Sequence, residues 1–401
     1  AFVLGTSRYV ARMLLRAPDA LRMLADDDEL RDPHPDEIAA TMAEAAARQD
    51  DDAVAVRVVR GLRRTELLRT AFADLLGRRD VVAVCRSISA ITDATVQAAL
   101  QVACRSVAAT LHVEQLPFQF AVIAVGRLGG HEAGYGSDAD VLFVYDADGA
   151  DLDVGQAAQQ VAVRLRTLLS APSAADPPLG IDADLRPEGR DGPLVRSLAS
   201  YERYYARWSS AWEAQALLRA RFCAGDARLG DRFTDVIDPV RYPKGVGAGD
   251  IMEIRRLKAR IDTERLPRGA DPSTHAKLGR GGLADVEWTI QLLQLVHGHD
   301  VDALRTTSTL DALAGATAAG LLTSGQAAAL AAAWRQATAV RNAVVLARDR
   351  PGDQLPHQGL PLRAVGRVLG YPPGFDPGQV LDDYRRTARH ARSVVEAVFY
   401  A

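Results

Sequence analysis

Apolar positions recur at helical spacing near the start of the chain: Val10, Met13, Leu14 and Leu15, then Leu21, Met23 and Leu24. This spacing predicts a helix from Ser7 to about Ala25, ended by the acidic run Asp26-Asp27-Asp28 and by Pro33 and Pro35. Alanine, leucine and arginine dominate from Asp36 to about Leu111, which reads as several packed helices. The texture changes at Pro117. Phe118 to Val125 is a short apolar run stopped by Gly126, and Val141 to Tyr145 is a second one beyond a glycine-containing loop. Both read as strands. Helical spacing returns over Gly155 to Ser170, then a Pro/Ala/Asp loop runs from Ala171 to Gly180, and Ile181 to Leu185 reads as a third strand. Tyr201 to Ala224 is helical again, with Tyr204, Tyr205, Trp208 and Trp212 best taken as a core stripe. Arg241 to Gly249 is a turn-rich linker. Ile251 to Leu266, Leu283 to Val296, Ala303 to Ala319, Ser324 to Arg348 and Gln379 to Tyr400 follow as helices suited to a bundle. The expected organisation is an N-terminal helical region (1–114), a small α/β island with following helices (115–238) and a C-terminal helical bundle (239–401).

Composition narrows the function. The 401 residues carry 48 Lys+Arg against 51 Asp+Glu, a formal net charge of −3. So balanced a chain is not built to coat nucleic acid or an anionic membrane. No run of 18 apolar residues exists to span a bilayer, and no basic-then-apolar secretory signal opens the chain. The first residue is not Met, which predicts a mature product or an excised piece. Three cysteines (Cys85, Cys104 and Cys223) form neither a disulfide set nor a paired zinc site, which fits a reducing cytoplasm. Only Lys244, Lys258 and Lys277 of the basic residues are lysines, a bias with the alanine excess that points to a GC-rich coding sequence.

The island holds the strongest chemical signal, the segment Gly126-Arg127-Leu128-Gly129-Gly130 followed by Gly136-Ser137-Asp138-Ala139-Asp140. A strand enters a glycine-rich loop, and a second strand opens with Asp-x-Asp. Alternation along a strand points Asp138 and Asp140 the same way. Two such carboxylates repel unless a cation lies between them. Mg²⁺ takes oxygen ligands, commonly carboxylates together with substrate phosphates. The glycines let backbone N–H groups approach phosphate oxygens, and Ser137 adds a hydroxyl donor. The pattern is neither a P-loop nor a dinucleotide fingerprint, and it reads as a metal–nucleotide site. A two-metal site needs a third carboxylate from a neighbouring strand, and Asp182 or Asp184 supplies it, spacing alone not separating them. Arg127 and Arg186 each either meet phosphate or form a structural ion pair, and the same two readings apply to Arg219 and Arg221. The Lys277 to Glu287 segment, with Asp285, either closes over the nucleotide or packs the bundle against the island.

These residues resemble the nucleotidyltransferase superfamily and, within it, glutamine synthetase adenylyltransferase. The likeness is carried by Gly126-Arg-Leu-Gly-Gly130, Gly136-Ser-Asp-Ala-Asp140, Leu185-Arg-Pro-Glu-Gly189 with Gly192-Pro-Leu-Val195, Tyr204-Tyr205, Trp212-Glu213, Ala216-Leu217, Ala220-Arg221 and Lys277-Leu-Gly-Arg-Gly-Gly-Leu-Ala-Asp-Val-Glu-Trp288. The resemblance implies a mostly α protein around a small DNA polymerase β-like α/β core, with helical domains on both sides. It also implies transfer of AMP from ATP to a tyrosine of glutamine synthetase, in the cytoplasm, with a PII-type signal protein as a further partner. Asp138, Asp140 and Asp182 would be the catalytic, metal-binding acids for two Mg²⁺, with Mn²⁺ as a substitute. Gly126, Arg127, Gly129, Gly130, Gly136, Ser137 and Arg186 would hold the nucleotide. Members of twice this size carry two such halves, and residues 264–275 with the chain's end resemble the C-terminal, adenylylating half from a high-GC bacterium. Two alternatives stand beside it: the phosphorolytic, AMP-removing half and a non-catalytic ATP-sensing module. The family pattern Asp-x-Arg-Leu-Arg-Pro lays its acid on Asp182 and its first arginine on Asp184, a local reversal of charge that leaves Asp184 as an auxiliary ligand.

Overall fold

The computed structural model describes residues 2–147, 153–172, 176, 178–208 and 210–401, apart from the side chain of Trp208, so that member of the expected aromatic stripe lies outside the described residues. The protein is mostly helical around one small mixed sheet. Its strands are β1 (Gln119–Ala124), β2 (Ala139–Asp146), β3 (Ile181–Asp182), β4 (Val195–Ser197) and β5 (Arg221–Gly225). β1 lies between β2 and β5 and is antiparallel to both. The far edge of β2 is shared: β3 pairs in parallel with its first residues and β4 in parallel with its later ones.

The apolar runs of β1 and β2 have no polar face because both faces of the sheet are covered. Phe120, Val122, Ala124, Val141 and Phe143 point into a core shared with the helices Asp52–Leu75, Val81–Thr110 and Val154–Ser170. Ala121, Ile123, Leu142 and Val144 point the other way, onto Tyr201, Tyr205 and Phe233. A third core, around Trp334, Tyr384 and Phe399, fills the C-terminal bundle. Val345 and Leu346 of the Ser324–Arg348 helix leave that bundle to join the first core, so late chain is packed beside the sheet. Among the described residues no helix is long and apolar enough to cross a membrane.

Local chemistry sets the helix ends. Asp51 and Asp80 accept the N–H groups of Val54 and Ala83, each at 2.8 Å, and so cap the two long N-terminal helices. Thr323 and Gln326 form a reciprocal capping box that starts the Ser324–Arg348 helix where the periodicity places it.

Several expected elements are shorter or of another type. The helix predicted from Ser7 to about Ala25 is divided into Arg8–Leu14 and a 3-10 stretch over Pro18–Ala25, because Pro18 cannot donate to a continuing helix, and a short helix, Phe2–Thr6, precedes it. The predicted helix over Tyr201–Ala224 is two helices, Leu198–Trp208 and Ala211–Leu217, followed by β5. The third strand ends at Asp182, and its expected continuation to Leu185 is a turn.

Candidate functional site

Three acids lie along the edge where β2 begins. Asp140 is directly opposite Asp182 in the parallel register, and Asp138 stands one residue before β2. Two glycines make room for them. A methyl group on Gly126 would overlap Asp140 Oδ2, and one on Gly180 would overlap Asp138 Oδ1. Gly126 also has φ of +56°, a conformation that L side chains rarely adopt.

The electrostatics of the edge are unbalanced. Asp138 and Asp182 are exposed and Asp140 is half-buried, and among the described residues none of the three forms a salt bridge. Burial first, then the charges of Asp182 and Asp138, push the Asp140 carboxyl up to about 6 against the opposing pull of Lys277 and Arg127. Among the described residues no three ligand side chains are already gathered as a metal cage. Asp182 Oδ1 accepts the Asp184 N–H at 2.8 Å, which ties it to its own turn. By chemistry the acids suit a hard divalent cation, since every donor is a carboxylate oxygen and no salt bridge among the described residues offsets their mutual repulsion.

The glycine-rich segment is a one-turn helix, Gly126–Gly129. The N–H groups of Gly129 and Gly130 donate within it, to Val125 O at 2.9 Å and Gly126 O at 3.3 Å. A side chain on Gly129 would collide with the backbone oxygen of Arg219. These two glycines therefore serve close packing, and their N–H groups are not open donors. Ser137 Oγ accepts the Gly134 N–H at 2.9 Å, which shapes the turn and leaves its hydroxyl proton available. Gly136 packs against Val345 and Pro351.

The arginines are largely structural. Arg186 donates to the carbonyls of Ala183, Arg190 and Gly192, folding its head into the turn after β3. Asp184 lies in that turn and pairs with Arg190 at 2.5 Å and with Arg186 at 3.6 Å, so it is not on the strand face shared by Asp182. Arg219 is buried between Glu132, at 3.0 Å, and Glu287, at 3.5 Å. Arg221 reaches Asp93 at 2.8 Å and the carbonyl of Leu128 at 3.0 Å. Arg127 donates from Nε to Glu132 O at 2.9 Å and lies 3.7 Å from Glu287. Its charge still acts on Asp140.

The Lys277 to Glu287 segment packs the bundle against the island. Glu287 ties the bundle to the island through Arg127 and Arg219, while exposed Lys277 is close enough to lower the proton affinity of Asp140. Asp285 is 2% exposed and faces Lys258 and Arg392 instead. Sequence reasoning passed over Glu132, whose Oε1 accepts the Thr309 N–H at 2.8 Å and joins the glycine loop to the bundle. An acid inside the glycine-rich loop is the available signal.

Known proteins bear on this geometry. The sequence pattern of the glutamate-ammonia ligase adenylyltransferase family matches residues 1–236, and that of the GlnD PII-uridylyltransferases matches residues 255–399. The chain is 52% identical to the bifunctional glutamine synthetase adenylyltransferase/adenylyl-removing enzyme of Streptomyces coelicolor, over all of this chain and 41% of that protein. It is 52% identical to the enzyme of the same name from Nocardia farcinica and 50% identical to that of Mycolicibacterium smegmatis, each over 99% of this chain and 40% of the relative. It thus spans about two-fifths of the length of these curated relatives. With more than half of its residues matched by the first pattern, the chain belongs to the glutamate-ammonia ligase adenylyltransferase family.

Proposed function

We propose that this chain transfers AMP from ATP to a tyrosine hydroxyl of glutamine synthetase and releases pyrophosphate. One observation carries the reading: Asp140 and Asp182 stand opposite each other in register, beside Asp138, with no salt bridge among the described residues to neutralise them. The mixed sheet with its acids at the start of β2 supports a DNA polymerase β-like nucleotidyltransferase core. Asp138, Asp140 and Asp182 would hold Mg²⁺ or Mn²⁺, as two ions, which supply charge neutralisation at the triphosphate and acidify the attacking hydroxyl.

The chain's own groups then divide the work. Ser137 donates its free hydroxyl proton to a phosphate oxygen. The first N–H groups of the Gly126–Gly129 turn, which a helix leaves without internal acceptors, are further donors. Asp182, with Oδ1 held by the Asp184 N–H, has Oδ2 to take the tyrosine proton. Arg127 and Lys277 favour the ionised form of Asp140. Arg186 holds the turn that places Asp182.

The relatives' name supplies the protein substrate, and the PII-uridylyltransferase pattern on residues 255–399 supports a PII-type signal protein as a regulatory partner, in a cytoplasmic setting. The adenylylating direction rests on the likeness of residues 264–275 to adenylylating halves. The test is transfer of label from the α-phosphate of ATP to unmodified glutamine synthetase, with loss of transfer in Asp140→Asn. Phosphate-dependent release of ADP from the modified enzyme would reverse the direction, and ATP binding without either reaction would overturn the proposal.

A further inference from the structure

The turn that leads into β2 has one large anchor. Gly134-Tyr135-Gly136-Ser137 closes on itself, the Ser137 N–H donating to Gly134 O at 3.0 Å and the Gly134 N–H to Ser137 Oγ at 2.9 Å. Two of its four residues are glycines, which restrain a backbone least, so Tyr135 is the only long side chain that can fix it. The buried Tyr135 ring lies in the first core, with its centroid 5.5 Å from that of Tyr9, and its hydroxyl donates to Asp74 Oδ2 at 3.0 Å. Burial first, then the charge of Asp74, push the Tyr135 hydroxyl well above its usual range, so it stays a donor.

Asp74 is poorly served by its own surroundings. It lies in the last turn of the Asp52–Leu75 helix, where the macrodipole disfavours a negative charge. Among the described residues it forms no salt bridge, and Arg79, whose charge reaches it, is paired with Asp32. Burial pushes its carboxyl up to about 6, against the hydrogen bond from Tyr135 and the charge of Arg79. A local cost of this kind, without a compensating ion pair, is the sort that folds keep at working positions. The ring is braced on its other side as well. Tyr9 belongs to the Arg8–Leu14 helix, whose N-cap Ser7 donates from Oγ to Leu346 O at 2.8 Å in the Ser324–Arg348 helix. We propose that Asp74 and Tyr135 are a positioning pair for nucleotidyl transfer: through the phenol, the N-terminal helical region holds the turn so that Ser137 and Asp138 face the reacting phosphates and their cation. Neither residue touches the reactants, and the inference rests on the transfer reading above. The N-terminal helices are then a working part of the site of the island.

The test is a double-mutant cycle on the full chain, read by AMP transfer, by Mn²⁺ binding in the presence of ATP and by melting. Tyr135→Phe keeps the ring against Tyr9 and removes the donor, and Asp74→Leu removes the acceptor. Each should lower kcat about tenfold with the KM for ATP changed less than about threefold, and the double variant should lose no more than either single one. Asp74→Asn keeps an acceptor oxygen and should bring transfer back to within about threefold of wild type. Each single substitution strands a polar partner and can fail to fold, whereas the double variant removes both and should melt within about five degrees of wild type. A merely structural pair would leave kcat of the folded double variant at the wild-type level, and that result would overturn the proposal. Mn²⁺ affinity should fall about tenfold in the double variant, a loss read without transfer. Where wild type transfers AMP, kcat of the double variant decides. A wild-type chain that transfers none refutes the proposed function alone; Mn²⁺ then decides, and unchanged affinity in the double variant would overturn the pair.

Discussion

Asp140, half-buried, and Asp285, buried, are acids of the same chain whose neighbours are of opposite kinds. Asp285 accepts from Lys258 Nζ at 2.6 Å, from the Gly281 N–H at 2.7 Å and from Arg392 at 3.1 Å. Lys258, itself 1% exposed, also holds Asp262 at 2.6 Å. Asp140 instead has Asp182 and Asp138 beside it and no protein cation in salt-bridge reach among the described residues. Asp285 is a joint between helices, in which each charge answers another. Asp140 is a charge that the fold leaves unanswered, the condition expected where a cation and a triphosphate are to bind. Residue identity does not separate the two roles; the partners do.

The largest expected effect breaks the Asp140 side. Asp140→Asn should reduce AMP transfer about a thousandfold or more, equivalent to roughly 4 kcal/mol of transition-state stabilisation. Its stability should move the other way. The folded carboxyl, at about 6, lies above its value in the unfolded chain, so an ionised Asp140 destabilises the fold at neutral pH. In metal-free buffer the variant should therefore melt above wild type at pH 8, by on the order of 1–3 kcal/mol, and the gap should close as pH falls through 6 towards 4. Added Mg²⁺ should raise the melting point of wild type more than that of the variant.

Asp285→Asn tests the opposite case. Removing one member of the buried cluster leaves Lys258 and Arg392 less compensated and should cost about 3–5 kcal/mol in urea unfolding. Transfer by the molecules that remain folded should change little. If both substitutions behaved alike, the contrast would fail.

Gly180→Ala probes the space rather than the charge. Its methyl group would displace the Asp138 carboxylate, so transfer should fall about tenfold to a hundredfold at a stability cost near 1 kcal/mol, read by kinetics and melting together. The smallest effect belongs to Asp184→Asn. Its partner Arg190 is exposed, so stability should shift by less than about 1 kcal/mol and transfer by less than threefold. A hundredfold loss of transfer would restore Asp184 as a ligand.

Much of this contrast was legible in the sequence, and the part that was not has a physical cause. β1 and β2 announce themselves as apolar runs, and Asp-x-Asp at the start of β2 marks the acids. The Ser324–Arg348 helix could be bounded from its periodicity. β4 has three residues, too few for alternation to register. β5, Arg221–Gly225, follows a helix after a short turn and carries no β-branched residue to mark the change. The ion pairs were beyond local reading, since Arg219 meets Glu132 and Glu287, and Arg221 meets Asp93, across long stretches of chain. Spacing identifies a charged residue, and only the fold says what answers it.

β3 contributes two residues to the sheet, and one of them is Asp182. It is paired to β2 only after the chain has travelled through the Val154–Ser170 helix, whose Leu169 carbonyl receives the Leu179 N–H. Closing that excursion has an entropic cost that the β1–β2 pairing does not share to the same degree. The third acid is therefore expected to take its place after the β1–β2 ladder and to leave before it when the fold loosens. A partly unfolded chain can keep the β1–β2 ladder and yet lack its trio of carboxylates. If the three acids act as proposed, catalytic competence is coupled to completion of the tertiary structure, and an immature or damaged copy is expected to fall silent before it falls apart.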